Sequence, residues 1–236
     1  MGERVGHNDE MLYLINGKVL TPYRMITPGG VSICGEYIER VFSMNEVTIP
    51  EGTRTLDVHG AWIMPGLIDM HLHGGGGADV MDTDSSAFST IARTHARGGT
   101  TSIVPTATTS SYEALCGALD NFAEARNCAD DGARLLGMHL EGPYFAYEQR
   151  GAQDPRYMRN PDPDEYLDIL DRYPFIIRVS AAPELPGALE LGRELRRRGI
   201  VAAIGHTDAT FDQVVAAAEA GYSHITHLYS GMSGVR

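Results

Sequence analysis

Two hydrophobic rhythms divide the chain. Over the first sixty residues, short runs rich in branched and aromatic side chains (MLYLINGKVL, VSICGEYIERVFSM and TRTLDVHG) are separated by TPGG and IPEG. Runs of that length bounded by Gly and Pro predict strands joined by turns, hence a small β domain over residues 1–60. From Trp62 the rhythm changes, and apolar runs of strand length alternate with segments of helix length. Strands are expected at Ile63–Asp69, Thr101–Pro105, Arg134–Leu140, Ile176–Ala181, Ile200–Gly205 and Ser223–His227. Helix starts are marked between them. Ser110 with Glu113 and Thr210 with Gln213 have capping-box spacing, and Asp162 precedes Pro163 with Glu165 three residues on. Repeated strand–helix units over residues 61–236 predict an α/β fold with a parallel sheet, either doubly wound or curled into a barrel. The run GGGGADVMD lacks the glycine spacing of a dinucleotide fold. That favours the barrel, whose chemistry sits at the C-terminal ends of its strands.

Those ends carry the unusual polar residues. His71 and His73 close the first barrel strand, and positions i and i+2 of a strand share a face. The apolar residues before them (Ile63, Met64, Leu67 and Ile68) suit a buried parallel strand, and Gly74–Gly77 let the backbone turn away. The third strand ends in HLEGPYF, where His139 and Glu141 share parity and Gly142–Pro143 ends the strand. The fifth ends in GHTDAT with His206 at its tip, and the sixth in THLYSGM with His227 at its tip. His224, three residues before His227, faces the other way and reads as structural. Imidazole and carboxylate ligands from four strands suit a divalent first-row ion such as zinc or iron.

Charge and cysteine content narrow the partners. A net charge of -12 argues against nucleic acid or an anionic membrane surface and makes any phosphate recognition local. Cys34, Cys116 and Cys128 form no CxxC pair and read as reduced thiols. There is no 18-residue apolar run and no leader-like start, so a cytoplasmic protein without membrane contact is expected.

The motifs PGLIDMHLHG, HLEGPYF, GHTDAT and THLYSGM, in that order and spacing, resemble the amidohydrolase superfamily. Within it they resemble the N-acetylglucosamine-6-phosphate deacetylases, from about residue 11 to the end of the chain. The resemblance implies a (β/α)8 TIM-type barrel with a small β domain. It implies that Glu141, His206 and His227 hold a principal metal ion and that His71 and His73 are available for a second. The implied reaction is hydrolysis of the acetamide of N-acetylglucosamine 6-phosphate, a small amino-sugar phosphate, by a homodimeric enzyme. Other branches of the superfamily bridge two metals with a carboxylated lysine. The single lysine here, Lys18, falls in the β domain, so Glu141 takes the bridging place.

The family's general base is an aspartate at the end of strand eight. Six strands are counted here, so an incomplete barrel of about six βα units, stopping before that residue, is expected. Two alternatives follow: a catalytically inactive metal-binding fragment, or a deacetylase for a related sugar such as N-acetylgalactosamine 6-phosphate. Glu184 and Asp208 are the other strand-end acids, but the family's base approaches from the opposite wall. For the substrate, Ser230–Gly231 stand where the family often has asparagine–alanine, and Gln153 stands where relatives carry a sugar-site histidine or glutamine. Arg150 and Arg236 are the nearest basic residues for phosphate. Of the remaining histidines, His59 belongs to the β domain, His95 to a helix end and His7 to the N-terminal tail, while His139 either orients a ligand or fills the barrel.

Overall fold

The computed structural model describes residues 11–126 and 131–234, so His7, Cys128 and Arg236 lie outside the described residues. The chain divides into two units at Pro65–Gly66.

In the first unit, β1 (Leu12–Leu20), β2 (Met25–Cys34) and β3 (Tyr37–Ser43) form an antiparallel meander, and β4 (Arg54–Asp57) and β5 (Trp62–Ile63) lie parallel to β1. Two expectations change here. TPGG is strand rather than turn, because Gly29 and Gly30 are needed for close packing. A Cβ on Gly29 would sit 2.8 Å from the Val19 side chain, and one on Gly30 2.6 Å from the Phe42 ring. Trp62–Ile63 pair with Lys18–Val19, so the first unit reaches past residue 60 and the stretch read as one strand, Ile63–Asp69, is divided between two sheets at Pro65–Gly66. Lys18 stands over the Trp62 ring, 5.8 Å from its centroid.

The second unit is a run of parallel strands with helices between them. It starts with β6 (Leu67–Leu72), followed by a tiny hairpin of β7 (Gly74–Gly75) and β8 (Ala78–Asp79). Gly76 and Gly77, both at positive φ, form its two-residue turn, the geometry a tight hairpin requires. Then come α1 (Ser86–Arg97), β9 (Thr100–Ala107), α2 (Tyr112–Ala125), β10 (Arg134–Leu135), β11 (Met138–Glu141), α3 (Pro163–Arg172), β12 (Ile176–Ala181), α4 (Ala188–Arg198), β13 (Val201–Ile204), α5 (Phe211–Ala220) and β14 (Tyr222–Ile225). Every strand from β6 to β14, apart from the hairpin, pairs parallel, with β6 and β14 at the two edges. β10 and β11 lie in succession along β9, so the seven strands fill six positions of an incomplete TIM-type barrel. The expected strand Arg134–Leu140 is broken at Gly137, where a Cβ would come within 2.7 Å of the Phe175 carbonyl oxygen.

Parity sorts the two faces of the sheet. Met138, Leu140, Val179, Ala181 and Ile204 join Phe88, Ile91, Leu119 and Phe122 of the helices in the main hydrophobic core. His139, Glu141 and Ser180 alternate with them along β11 and β12 and are also buried. The edge strand departs from expectation. Leu67 and Ile68 are 52% and 61% exposed, because among the described residues β6 pairs with β9 alone and the burial expected of a two-sided parallel strand does not apply.

Helix starts hold with one shift. Thr210 and Gln213 form the full capping box, and the Asp162 side chain accepts the Asp164 N–H with Pro163 in the first turn. The α2 cap is Ser111 rather than Ser110, its Oγ accepting the Ala114 N–H at 3.2 Å. Glu165 does not reach back to its cap. Its carboxylate instead holds Arg159 and accepts the Tyr144 hydroxyl. Among the described residues no helix is long and apolar enough to cross a membrane.

Candidate metal centre

Four strand ends deliver the five parts of a converging group. His71 lies within β6 and His73 directly after it, Glu141 ends β11, and His206 and His227 each follow the last residue of a strand (β13 and β14) by two positions. Glu141, 2% exposed, is the hub. Its Oε1 lies 3.3 Å from His71 Nε2, 3.4 Å from His206 Nε2 and 3.1 Å from His227 Nε2, and its Oε2 lies 3.0 Å from His73 Nε2. Two groups result, His71–His73–Glu141 and Glu141–His206–His227, and within each the ligand atoms lie within 4.8 Å of one another. The carboxylate is common to both. All five residues expected at the strand ends are brought together.

The rings are aimed by their far nitrogens. His73 Nδ1 lies 3.0 Å from the Thr106 carbonyl oxygen, His206 Nδ1 2.8 Å from that of Gln149, and His227 Nδ1 2.7 Å from that of Ser230. A carbonyl can only accept, so each Nδ1 must donate, and in a neutral ring Nε2 is left as a bare lone pair. The Phe145 ring lies against His206 with centroids 4.3 Å apart, and His206 and His227 meet edge to face at 4.7 Å. Both His206 and His227 adopt positive φ, at 49° and 32°. Such backbone costs about 1–3 kcal/mol and persists where surrounding contacts over-determine it. Here the paired Nδ1 bonds and the stacking supply those contacts.

This arrangement fits a divalent cation. His206 Nε2 and His227 Nε2 are 3.1 Å apart, and both point at a carboxylate oxygen. Neutral rings would thus set lone pairs against one another and against a negative charge in a buried site, which is costly without a cation between them. When protons fill that role, the Glu141 hydrogen bond raises His73 above the usual imidazole range. Burial opposes ionisation of Glu141, yet hydrogen bonds from His206, His71 and His73 prevail and hold the carboxyl far below the usual carboxylate range.

A second buried layer lies against this group. His139 is fully buried, with its ring edge-to-face on His71 at 5.0 Å. His139 Nε2 lies 2.7 Å from Ser180 Oγ and its Nδ1 3.2 Å from Thr106 Oγ1. Ser180 Oγ in turn meets Thr226 Oγ1, which accepts from Arg178. Burial, reinforced by the Arg178 charge, pushes His139 well below its ordinary value, so it stands as a neutral ring. It fills the interior and packs edge to face on His71, while its hydrogen bonds go to Ser180 and Thr106 rather than to any of the five converging residues.

The other candidate residues fall as follows. Glu184 accepts the Thr207 hydroxyl at 2.6 Å and the Asp208 N–H at 2.7 Å, bracing the loop after His206, and Asp208 accepts from the Gln149 side chain. Both acids are therefore committed to structural bonds. Gln153 is buried rather than on an exposed loop. Its Oε1 accepts the Thr109 N–H and its Nε2 donates to Glu141 Oε2. Ser230 spends its backbone N–H on the His227 carbonyl, and the Gly231 carbonyl accepts the Thr207 N–H. Arg150 stacks on Tyr147 at 4.4 Å. His224 is exposed, bonds to Ser223 and belongs to neither ligand group. His95 bonds to the Gly74 carbonyl, tying α1 to the hairpin, and His59 sits at positive φ beside Asp57 in the first unit. Sequence reasoning missed the Thr106, Gln149 and Ser230 carbonyls, since a backbone acceptor leaves no residue signature. It also missed Phe145, although that residue lies inside the HLEGPYF motif.

Residues 62–235 match the amidohydrolase family, and the chain belongs to that family. More narrowly, it is 38% identical over 176 residues to the N-acetylglucosamine-6-phosphate deacetylase of Vibrio furnissii, covering 73% of this chain and 44% of that protein. It is 36% identical over 174 residues to the N-acetylgalactosamine-6-phosphate deacetylase of Escherichia coli O157:H7, covering 73% and 46%. Among solved structures, the N-acetyl-D-glucosamine-6-phosphate deacetylase of Mycobacterium smegmatis in complex with N-acetyl-D-glucosamine-6-phosphate superposes with a TM-score of 0.82. That alignment has 31% identity and covers 98% of this chain and 58% of that one. The chain spans about half the length of the curated relatives it matches.

Proposed function

We propose that this chain carries the metal-holding part of an amide hydrolase that converts N-acetylglucosamine 6-phosphate and water to glucosamine 6-phosphate and acetate. The observation that carries this reading is the convergence of His71, His73, His206 and His227 on the buried Glu141 carboxylate, with the Nδ1 atoms of His73, His206 and His227 tied to backbone carbonyls. The substrate class comes from the similarity to deacetylases named for it. Glu141, His206 and His227 would hold one ion and His71, His73 and Glu141 a second, with zinc or iron suiting nitrogen and carboxylate donors. A divalent ion bound there supplies Lewis-acid chemistry, acidifying water and polarising a carbonyl oxygen.

The protein's own residues do the rest. Glu141 stays ionised and spans both positions. His206 is fixed in angle by its carbonyl partner and by Phe145, and His227 by its own carbonyl partner and the edge of the His206 ring. The exposed Ser230 hydroxyl and the Gly231 backbone are retained as contacts for substrate oxygens, whereas Gln153 is not, since both ends of its amide are engaged. Proton transfer to the leaving amine needs a general acid–base. Glu184 and Asp208 are occupied elsewhere, so the strand-eight aspartate of the resemblance remains the proposed group. A homodimeric assembly and a cytoplasmic setting complete the proposal.

The test is acetate release from N-acetylglucosamine 6-phosphate by the purified chain loaded with zinc or iron, with a metal-stripped sample as blank and the galactosamine isomer in parallel. Metal-dependent release with preference for the glucosamine isomer is the result that supports the reading. Preference for the other isomer would reassign the substrate. No release from folded, metal-bound protein would mean that the chain binds metal without turning over.

A further inference from the structure

Gln153, only 8% exposed, spans two fixed partners. Its Oε1 accepts the Thr109 backbone N–H at 2.8 Å, and its Nε2 donates to Glu141 Oε2 at 3.2 Å. A backbone N–H can only donate, so the orientation of the amide is set, and its NH2 must face the carboxylate. Thr109 is brought there by Gly142, where a Cβ would lie 2.2 Å from Thr109 Oγ1. Glu141, Gly142, Thr109 and Gln153 thus close a ring of contacts behind the ligand carboxylate.

The effect falls on one oxygen of that carboxylate. Glu141 Oε1 faces His71, His206 and His227, while Oε2 faces His73 and receives the Gln153 amide. We infer that Gln153 is a positioning residue that holds the Glu141 carboxylate across both ligand groups, and that it thereby decides whether the His71–His73 position takes an ion. The terminal torsion of a glutamate is soft and roughly two-fold. Freed from the amide, the carboxylate turns both oxygens toward one ion, and the His71–His73 position is left with two imidazoles and no carboxylate oxygen. The inference rests on the metal-centre reading above, and it reassigns Gln153 from substrate contact to carboxylate clasp.

The experiment is a zinc titration of the metal-stripped full chain, with bound zinc counted by plasma emission, on the wild type, Q153M, Q153N and H73A. Methionine keeps the volume and loses both polar ends. Asparagine keeps the amide but is one methylene too short to reach both partners. The expected result is two ions for the wild type. In Q153M and Q153N the first ion stays near wild-type affinity and the second is weakened about 10–100-fold, the usual cost of removing an outer partner of a ligand. H73A should lose the same ion. Wild-type binding in both Gln153 variants, equal loss of both ions, or a wild type holding a single ion would each overturn the inference while leaving a metal centre in place. No zinc on the wild type would instead sink the metal reading itself. If the methionine variant does not fold by circular dichroism, the asparagine variant decides. Failure of both to fold would make Gln153 a structural brace and overturn the inference as well.

Discussion

At the residue scale, the site is a matter of parity and of hydrogen-bond direction. Removing the common ligand should therefore cost more than removing any one ring. Glu141→Ala is expected to abolish binding at both positions. His206→Ala should release the ion shared with His227, each loss exceeding the about 10–100-fold penalty seen for outer partners. His224→Ala should retain wild-type metal content, because that side chain is exposed and outside both groups. Metal analysis of the three purified variants checks all of this, and unchanged metal in Glu141→Ala would refute the assignment. The convergence of all five candidate ligands was legible in the sequence because strand ends and period-two alternation place them without knowledge of tertiary contacts. Gln153 was not legible in its actual role. Its partner Thr109 is 44 residues away, and nothing local distinguishes a buried amide from a loop amide.

At the element scale, the strand that carries Glu141 stops where glycine permits. Gly142 follows Glu141 at φ 95° and packs against Thr109. Gly142→Ala should destabilise the fold by about 1–3 kcal/mol from backbone strain alone, with the clash against Thr109 adding to it and disturbing the Glu141 carboxylate. Denaturant melts of the variant against wild type give the number, and a difference below about 0.5 kcal/mol would contradict the packing described. Asp162→Ala removes the α3 cap, which accepts the Asp164 N–H at 3.0 Å, and should cost about 1 kcal/mol without altering metal content. The alternating strand–helix pattern was readable because β9 and β12 carry dense branched residues. Three features were hidden. TPGG contains turn residues used for close packing, Gly137 breaks a strand that looks continuous, and β6 looks like a central strand but is paired on one side only among the described residues. Each depends on a neighbour distant in sequence, which a one-dimensional pattern does not encode.

At the scale of the whole molecule, a parallel sheet draws five candidate ligands from four strands to one place, and an ion bound there would link those strands. A ligand that binds only the folded state stabilises it by about 2.7 kcal/mol at a hundred times its dissociation constant. For a domain of this size that corresponds to about 5–10 °C in the melting transition of the second unit. Thermal melts of zinc-loaded and chelator-treated protein should differ by that amount, and coincident melts would argue that the strand ends hold no ion. The family was legible from four motifs because they lie at those same strand ends. The substrate isomer was not, since relatives named for glucosamine and for galactosamine phosphates match at similar identity. The most direct measurement is anomalous diffraction at the zinc edge from crystals of the zinc-loaded chain. The result expected is a peak about 2.0–2.1 Å from the Nε2 atoms of His206 and His227 and at bonding distance from Glu141, with a second peak beside His71 and His73. Zinc peaks only at other sites, or a strand-end cluster free of anomalous density in zinc-saturated crystals, would contradict it.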